Sequence, residues 1–319
     1  MHSIDFYSDH IEAAIAALAY PKEPAGLYAP VKYTLEGGGK RIRPTLLLAS
    51  ADAFGVSPEA VTSQAVGIEM FHNFTLLHDD VMDNADVRRG RPTVHRRWNN
   101  ETAILSGDAM LTMASMLMGR CPADHLERVL ELFNHTAMEI YEGQQYDMDF
   151  ERRTDVTVSE YMEMIRLKTS VLLACACAIG AVMGNAPEEA VNAMYAYGEK
   201  LGLAFQLRDD YLDTYGDPAI FGKEIGGDIL NEKKTWLWIT AMQEAGAEMR
   251  QVLDKKLTDY LKIREITAVY DRLGLPERTC DLIGKYVDEA IDALSAAGLS
   301  ADAHLFFSSL ARSCVSRMH

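Results

Sequence analysis

"LLHDDVMDNADVRRGRPTVH", residues 76–95, places three aspartates directly after an apolar run and three arginines directly after the aspartates. Asp79 and Asp83 are four apart, so a helix sets both on one face about one turn apart, with Asp80 on the flank. The same spacing returns 130 residues later in "FQLRDDYLD", as Asp209, Asp210 and Asp213. Gln206 precedes Asp209 by about one turn on the same face. Apolar neighbours flank both clusters: Leu76, Leu77, Val81 and Met82 in the first, Leu207, Tyr211 and Leu212 in the second. Carboxylates on a mostly apolar helix repel one another, and burying them is costly unless cations compensate. One such pair reads most simply as a solvated helix end. Two copies in apolar settings argue for a charge-binding task. Two such helices facing each other form a deep negative throat. Hard oxygen donors in this number suit Mg²⁺, which keeps waters and completes its shell from phosphate. Neither cluster has the alternating ligands and central glycine of a calcium loop.

The cations that answer these carboxylates are also grouped. "GGGKRIRP", residues 37–44, is a glycine turn followed by Lys40, Arg41 and Arg43, with Pro44 opening a helix. Glycines let backbone N–H groups approach an anion, and a helix start favours negative charge. "VRRGRPTVH" adds Arg88, Arg89 and Arg91, "RLKTS" adds Lys168 and Thr169, and "FGKEIGGDILNEKKT" adds Lys223, Lys233 and Lys234. The chain has no Walker-type loop, no dinucleotide fingerprint, and no nucleophile–base arrangement for covalent catalysis. Carboxylates acting through Mg²⁺ would hold one polyanion, while Lys and Arg hold it and a second one directly. Such a site suits departure of diphosphate from an apolar substrate, with dry walls protecting a carbocation.

The 319 residues carry a formal net charge of -16 at pH 7, a poor match for nucleic acid or anionic membrane surfaces. A hydrophobic share of 48% supports a sizeable core. Five cysteines form no CxxC pair, and Cys175 and Cys177 sit in an apolar stretch, which reads as buried thiols in a reducing compartment. The N-terminal stretch has no basic segment and carries Asp5, Asp9 and Glu12, unlike a signal peptide. The longest apolar run, Thr169 to Gly184, has 16 residues, short for a bilayer span and suited to a core helix. A soluble cytoplasmic protein without stable membrane insertion is expected. Strand signals are scarce and helical periodicity is nearly continuous, as at 10–19, 43–54, 60–83, 100–119, 125–149, 158–184, 187–213 and 233–246. The expectation is one all-α domain over 1–319, a large bundle of ten or more helices around a central cavity.

Taken in order, GGGKRIRP, HNFTLLHDDVMDNADVRRGRPTVH, EGQQYD, KTS, FQLRDDYLD and GK…KKT give the chain a close resemblance to the trans-polyprenyl diphosphate synthases. These are the farnesyl and geranylgeranyl diphosphate synthase-like enzymes. The resemblance runs by motif from about Leu35 to Thr235 and implies the isoprenoid synthase fold, usually a homodimer. It implies Asp79, Asp83 and Asp209 as main Mg²⁺ ligands, with Asp80, Asp210 and Asp213 supporting them. Lys40, Arg43, His72 and Arg89 match the isopentenyl diphosphate site. Arg88, Lys168, Thr169, Gln206, Lys223 and Lys233 match the allylic diphosphate site. The implied reaction ionises an allylic diphosphate (dimethylallyl, geranyl or farnesyl). The double bond of isopentenyl diphosphate then attacks head-to-tail and a proton is lost. Thr169 and Gln206 would stabilise the cation with their oxygen dipoles.

Product length in such enzymes depends on residues upstream of the first cluster. The cluster lacks a two-residue insertion before its third aspartate, and Phe74 lies five residues before Asp79. An aromatic there resembles short-chain enzymes, so a C15–C20 product is expected, leaning to C20. Two alternatives stand beside this reading. A terpene cyclase would normally lack the second cluster and the GGGKRIRP loop. A non-catalytic subunit of a heteromeric synthase would be expected to have lost carboxylates or cations.

Overall fold

A computed structural model describes residues 1–217 and 225–316, with side chains through residue 313. The first helices are α1 (Ile4–Ala16), α2 (Ala25–Leu35), α3 (Ile42–Ala53), α4 (Thr62–Met82), α5 (Val94–Arg97), α6 (Asn100–Met118) and α7 (Ala123–Glu151). After them come α8 (Val158–Ile165), a π-turn (Arg166–Ser170), α9 (Val171–Met183) and α10 (Glu188–Tyr215). The chain ends with α11 (Gly227–Leu230), α12 (Trp236–Leu253), α13 (Asp259–Arg272), α14 (Leu275–Ala293) and α15 (Ala301–Ser316). Among the described residues the only strands are β1 (Val87–Arg88) and β2 (Arg91–Pro92), an antiparallel hairpin pairing Val87 with Pro92 and Arg88 with Arg91. The expectation of an all-α chain with ten or more helices holds.

Local chemistry sets several helix starts. Ser3 accepts the Phe6 N–H at 3.2 Å and starts α1, Asn99 accepts the Thr102 N–H at 2.7 Å and starts α6, and Thr157 with Glu160 forms a capping box on α8. The cap at Ser3 moves the first helix six residues ahead of its expected start at residue 10. Helix α2 escapes the periodicity reading because Pro30 sits inside it, where a proline ordinarily signals a break. Helix α12 runs past its expected end at residue 246 and kinks at Ala245 (φ -136°, ψ 34°).

The chain forms two compact units. The first comprises Met1–His135 with Cys175–Met194; the second comprises Thr136–Ala174 with the described residues from Tyr195 onward. The chain passes between them inside α7, α9 and α10. In the first unit α4 is buried along most of its length and packs on α3 and α6. In the same unit the Ser50 hydroxyl of α3 donates to the Cys177 carbonyl of α9 at 2.6 Å. Cys175 and Cys177 take part in no disulfide and are fully buried, as expected of core thiols. The stretch Val158–Met183 is long and apolar enough to span a bilayer. Its most apolar window is 83% buried inside the protein, so it packs as an interior helix.

Candidate active site

In the first unit, Asp79, Asp80 and Asp83 close the C-terminal end of α4, whose last turn holds no basic residue. The macrodipole already makes that end negative, so the carboxylates add to it and the end calls for a cation. Asp79 is half-buried and Asp83 exposed, while Asp80 is buried. Arg88, on β1, donates through Nε to Asp80 Oδ1 at 2.6 Å. Burial still raises the Asp80 carboxyl above its ordinary range, despite the Arg88 charge.

The glycine loop before α3 divides its cations. Lys40 is exposed. Arg43 donates to His72 Nε2 at 3.2 Å, so that nitrogen accepts and His72 is neutral. Enclosure, then the charges of Arg43, Arg89, Arg88 and Arg41, hold the imidazole well below its usual range. Arg41, between them, turns inward. It takes a left-handed backbone (φ 49°), and its buried guanidinium donates to Glu12 at 2.7 Å, Glu69 at 2.6 Å and the Leu35 carbonyl at 2.7 Å. Arg89, also left-handed (φ 52°), donates to the Gly38 carbonyl. Gly39 (φ 144°) is a position where side chains are strained, and a Cβ there would sit 2.9 Å from the Arg89 guanidinium. Phe74 is buried and packs edge-on against His78 (centroids 4.8 Å apart) and against Phe71 at 5.5 Å.

In the second unit, the π-turn carries Lys168 and Thr169 side by side. Such widened turns recur at functional sites. Glycines let neighbouring helices close on it: a Cβ on Gly143 of α7 would lie 2.4 Å from the Lys168 nitrogen, and one on Gly202 of α10 2.5 Å from Ser170 Cα. Arg166, at the start of the turn, bonds Glu163 at 2.8 Å, Glu199 at 3.2 Å and Glu139 at 3.3 Å. Lys168 Nζ donates to Asp147 at 2.6 Å. Thr169 Oγ1 donates to Gln206 Oε1 at 3.0 Å, and Gln206 Nε2 donates to Asp210 Oδ1 at 2.8 Å. The buried Tyr161 hydroxyl donates to Asp210 Oδ2 at 2.5 Å.

Asp209, Asp210 and Asp213 approach the C-terminal end of α10, which also lacks a basic residue in its last turn. Asp209 has a side chain 40% exposed. Asp213 Oδ2 accepts the Asp228 N–H at 2.9 Å. Burial, then the Asp228 charge, raises the Asp210 carboxyl. Dehydration opposes the charge on Lys233, but Asp228, Asp210, Asp147 and Asp213 together raise its ammonium above the usual range. Lys223 lies outside the described residues. Among the described residues, no three carboxylate, imidazole or thiol side chains form a ready-made metal cage. The carboxylates fit a hard divalent ion that brings most of its own shell as water and phosphate. Asp147, Tyr161 and Asp228 were not among the expected site residues; Asp147 lies in EGQQYD and Asp228 in FGKEIGGDILNEKKT, while Tyr161 lies in none of the quoted motifs.

The model of the polyprenyl synthetase family matches residues 24–273. The chain belongs to that family. It is 41% identical over 239 residues to the geranylgeranyl diphosphate synthase of Methanosarcina mazei, covering 74% of each chain. A crystal structure of a geranylgeranyl pyrophosphate synthase superposes with a TM-score of 0.93 at 39% identity, over 99% of both chains. A polyprenyl synthase from Caulobacter crescentus CB15, complexed with calcium and isoprenyl diphosphate, gives a TM-score of 0.87 at 29% identity over 99% of this chain and 98% of that one. The polyprenyl synthase thus has the all-α isoprenoid synthase fold. It is a short-chain prenyltransferase of isoprenoid biosynthesis, with the balance toward a C20 product.

Proposed function

We propose that this synthase condenses isopentenyl diphosphate with an allylic diphosphate in the presence of Mg²⁺. The observation that carries the reading is the pair of carboxylate clusters, each at a helix end made negative by the backbone and bare of basic residues in its last turn. Asp79, Asp83 and Asp209 would hold Mg²⁺, with Asp80, Asp210 and Asp213 in support. A bound Mg²⁺ would neutralise the charge that develops on departing diphosphate. The relative from Caulobacter, with its divalent ion and isoprenyl diphosphate, supports that assignment.

Lys40, Arg43, His72 and Arg89 bind the diphosphate of the nucleophilic substrate. Neutral His72 offers its Nδ1–H as a donor. Arg88, Lys168, Lys223 and Lys233 bind the allylic diphosphate. When the allylic C–O bond ionises, the oxygen dipoles of Thr169 and Gln206 face the cation. The isopentenyl double bond attacks, and the released diphosphate takes the proton. Both units act as one domain over 1–319, in keeping with a family match that covers parts of each.

The enzyme works as a soluble cytoplasmic homodimer. Helix α6 supports a self-contact, since it exposes Ile104, Leu105 and Met116. Leu105→Glu is expected to halve the mass measured by light scattering, and an unchanged mass would move the contact elsewhere. The deciding assay is diphosphate release with geranyl diphosphate, isopentenyl diphosphate and Mg²⁺. Release needs both substrates and stops with chelator, and chromatography shows a C15–C20 product. Release from the allylic substrate alone would favour a cyclase, and no release would leave a non-catalytic subunit.

A further inference from the structure

We infer that Tyr161 is a positioning residue that fixes which way Thr169 and Gln206 point, acting through Asp210. The inference deepens the allylic site proposed above and rests on that reading. All four side chains belong to the second unit. In its ionised form the Asp210 carboxylate can only accept hydrogen bonds. With Tyr161 Oη on Asp210 Oδ2 at 2.5 Å, the remaining Asp210 oxygen takes the Gln206 NH₂ at 2.8 Å. That sets the amide so that Oε1 is turned toward Thr169, and the Thr169 hydroxyl proton is committed to it at 3.0 Å. A hydroxyl whose proton is engaged keeps its lone pairs for another neighbour. Thr169 is thereby held as an oxygen donor of electron density, the polarity an electron-poor allylic carbon needs.

Without the Tyr161 hydroxyl, the Asp210 carboxylate loses a donor in a buried setting. The Gln206 amide can then rotate, and Thr169 is free to turn its proton toward the reacting carbon. The same chain gives Asp210 a support role, since both of its oxygens are already engaged by Tyr161 and Gln206. Nothing in the sequence pattern marks Tyr161, which lies on α8 and is 1% exposed.

Tyr161→Phe removes the hydroxyl and keeps the packed ring. Its kcat with geranyl diphosphate is expected to fall about 10- to 100-fold. KM for isopentenyl diphosphate and the half-saturating Mg²⁺ concentration are expected to stay within about twofold. The decisive readout is a double-mutant cycle. In a Gln206→Ala background, Tyr161→Phe costs less than about a further twofold, because its effect runs through Gln206. The same cycle in a Thr169→Val background gives the same result and stands on its own if one double variant does not fold. An equal loss in the altered and unaltered backgrounds, or an unchanged kcat, overturns the proposal. If the protein with no substitution shows no two-substrate release, the functional reading fails instead.

Discussion

A histidine that accepts from an arginine has no room for a second proton on that nitrogen. His72 does this with Arg43, and burial, then four guanidinium charges, hold it neutral. Its folded pKa lies below the unfolded value of about 6.5. Below that pH the unfolded chain binds more protons, so this residue's contribution to stability is intact above about pH 6.5 and declines as pH falls through it. Urea unfolding between pH 8 and 5 should show the native chain losing up to about 1.4 kcal/mol per pH unit from this source, a slope that His72→Gln lacks. Phe74 permits a second test. Phe74→Ala opens space beside Phe71 and His78 and should shift the chromatographed product to a longer chain; an unchanged product would mean that Phe74 does not limit chain length. The spacing of GGGKRIRP marks Lys40, Arg41 and Arg43 as equals. The fold separates them, because the left-handed backbone at Arg41 drives that side chain into the core. No pattern of charges along a sequence encodes which of three neighbouring cations will find a buried acid.

At the scale of elements, the aspartate clusters were legible because helical spacing shows directly in sequence. The π-turn at Arg166–Ser170 was not: one continuous helix over 158–184 was expected. A widened turn differs from an α-turn by one residue and has no composition of its own. What betrays it in the structure is the closeness allowed by Gly143 and Gly202. Gly143→Ala would press on the Lys168 backbone. It is expected to destabilise the fold by about 1–3 kcal/mol. It should also lower kcat/KM for the allylic substrate by about 100-fold, measured beside denaturant unfolding. An Ala variant with full activity would show that the turn tolerates displacement.

For the whole molecule, the order of motifs along the chain carried the family and the reaction, and the structural match extends that to nearly every residue. The two compact units left no such trace. Their boundaries fall inside α7, α9 and α10, so no flexible, polar linker marks them. Metal dependence belongs to this scale as well. Mg²⁺ and a non-hydrolysable diphosphate added together should raise the thermal midpoint more than the sum of either alone, since each completes the other's site. Chelation should return the midpoint to its starting value and abolish turnover. Additive shifts would separate the metal from the diphosphate.

Helix α1 carries none of the proposed substrate-binding residues, yet its Glu12 reaches the sealed guanidinium of Arg41, next door to Lys40 and Arg43. The opening helix is therefore a foundation for the loop that grips diphosphate. A protease that clipped the chain at residue 17 would leave a charge in the oily interior short of a counterweight. The damage would surface far downstream, as weakened grip on isopentenyl diphosphate.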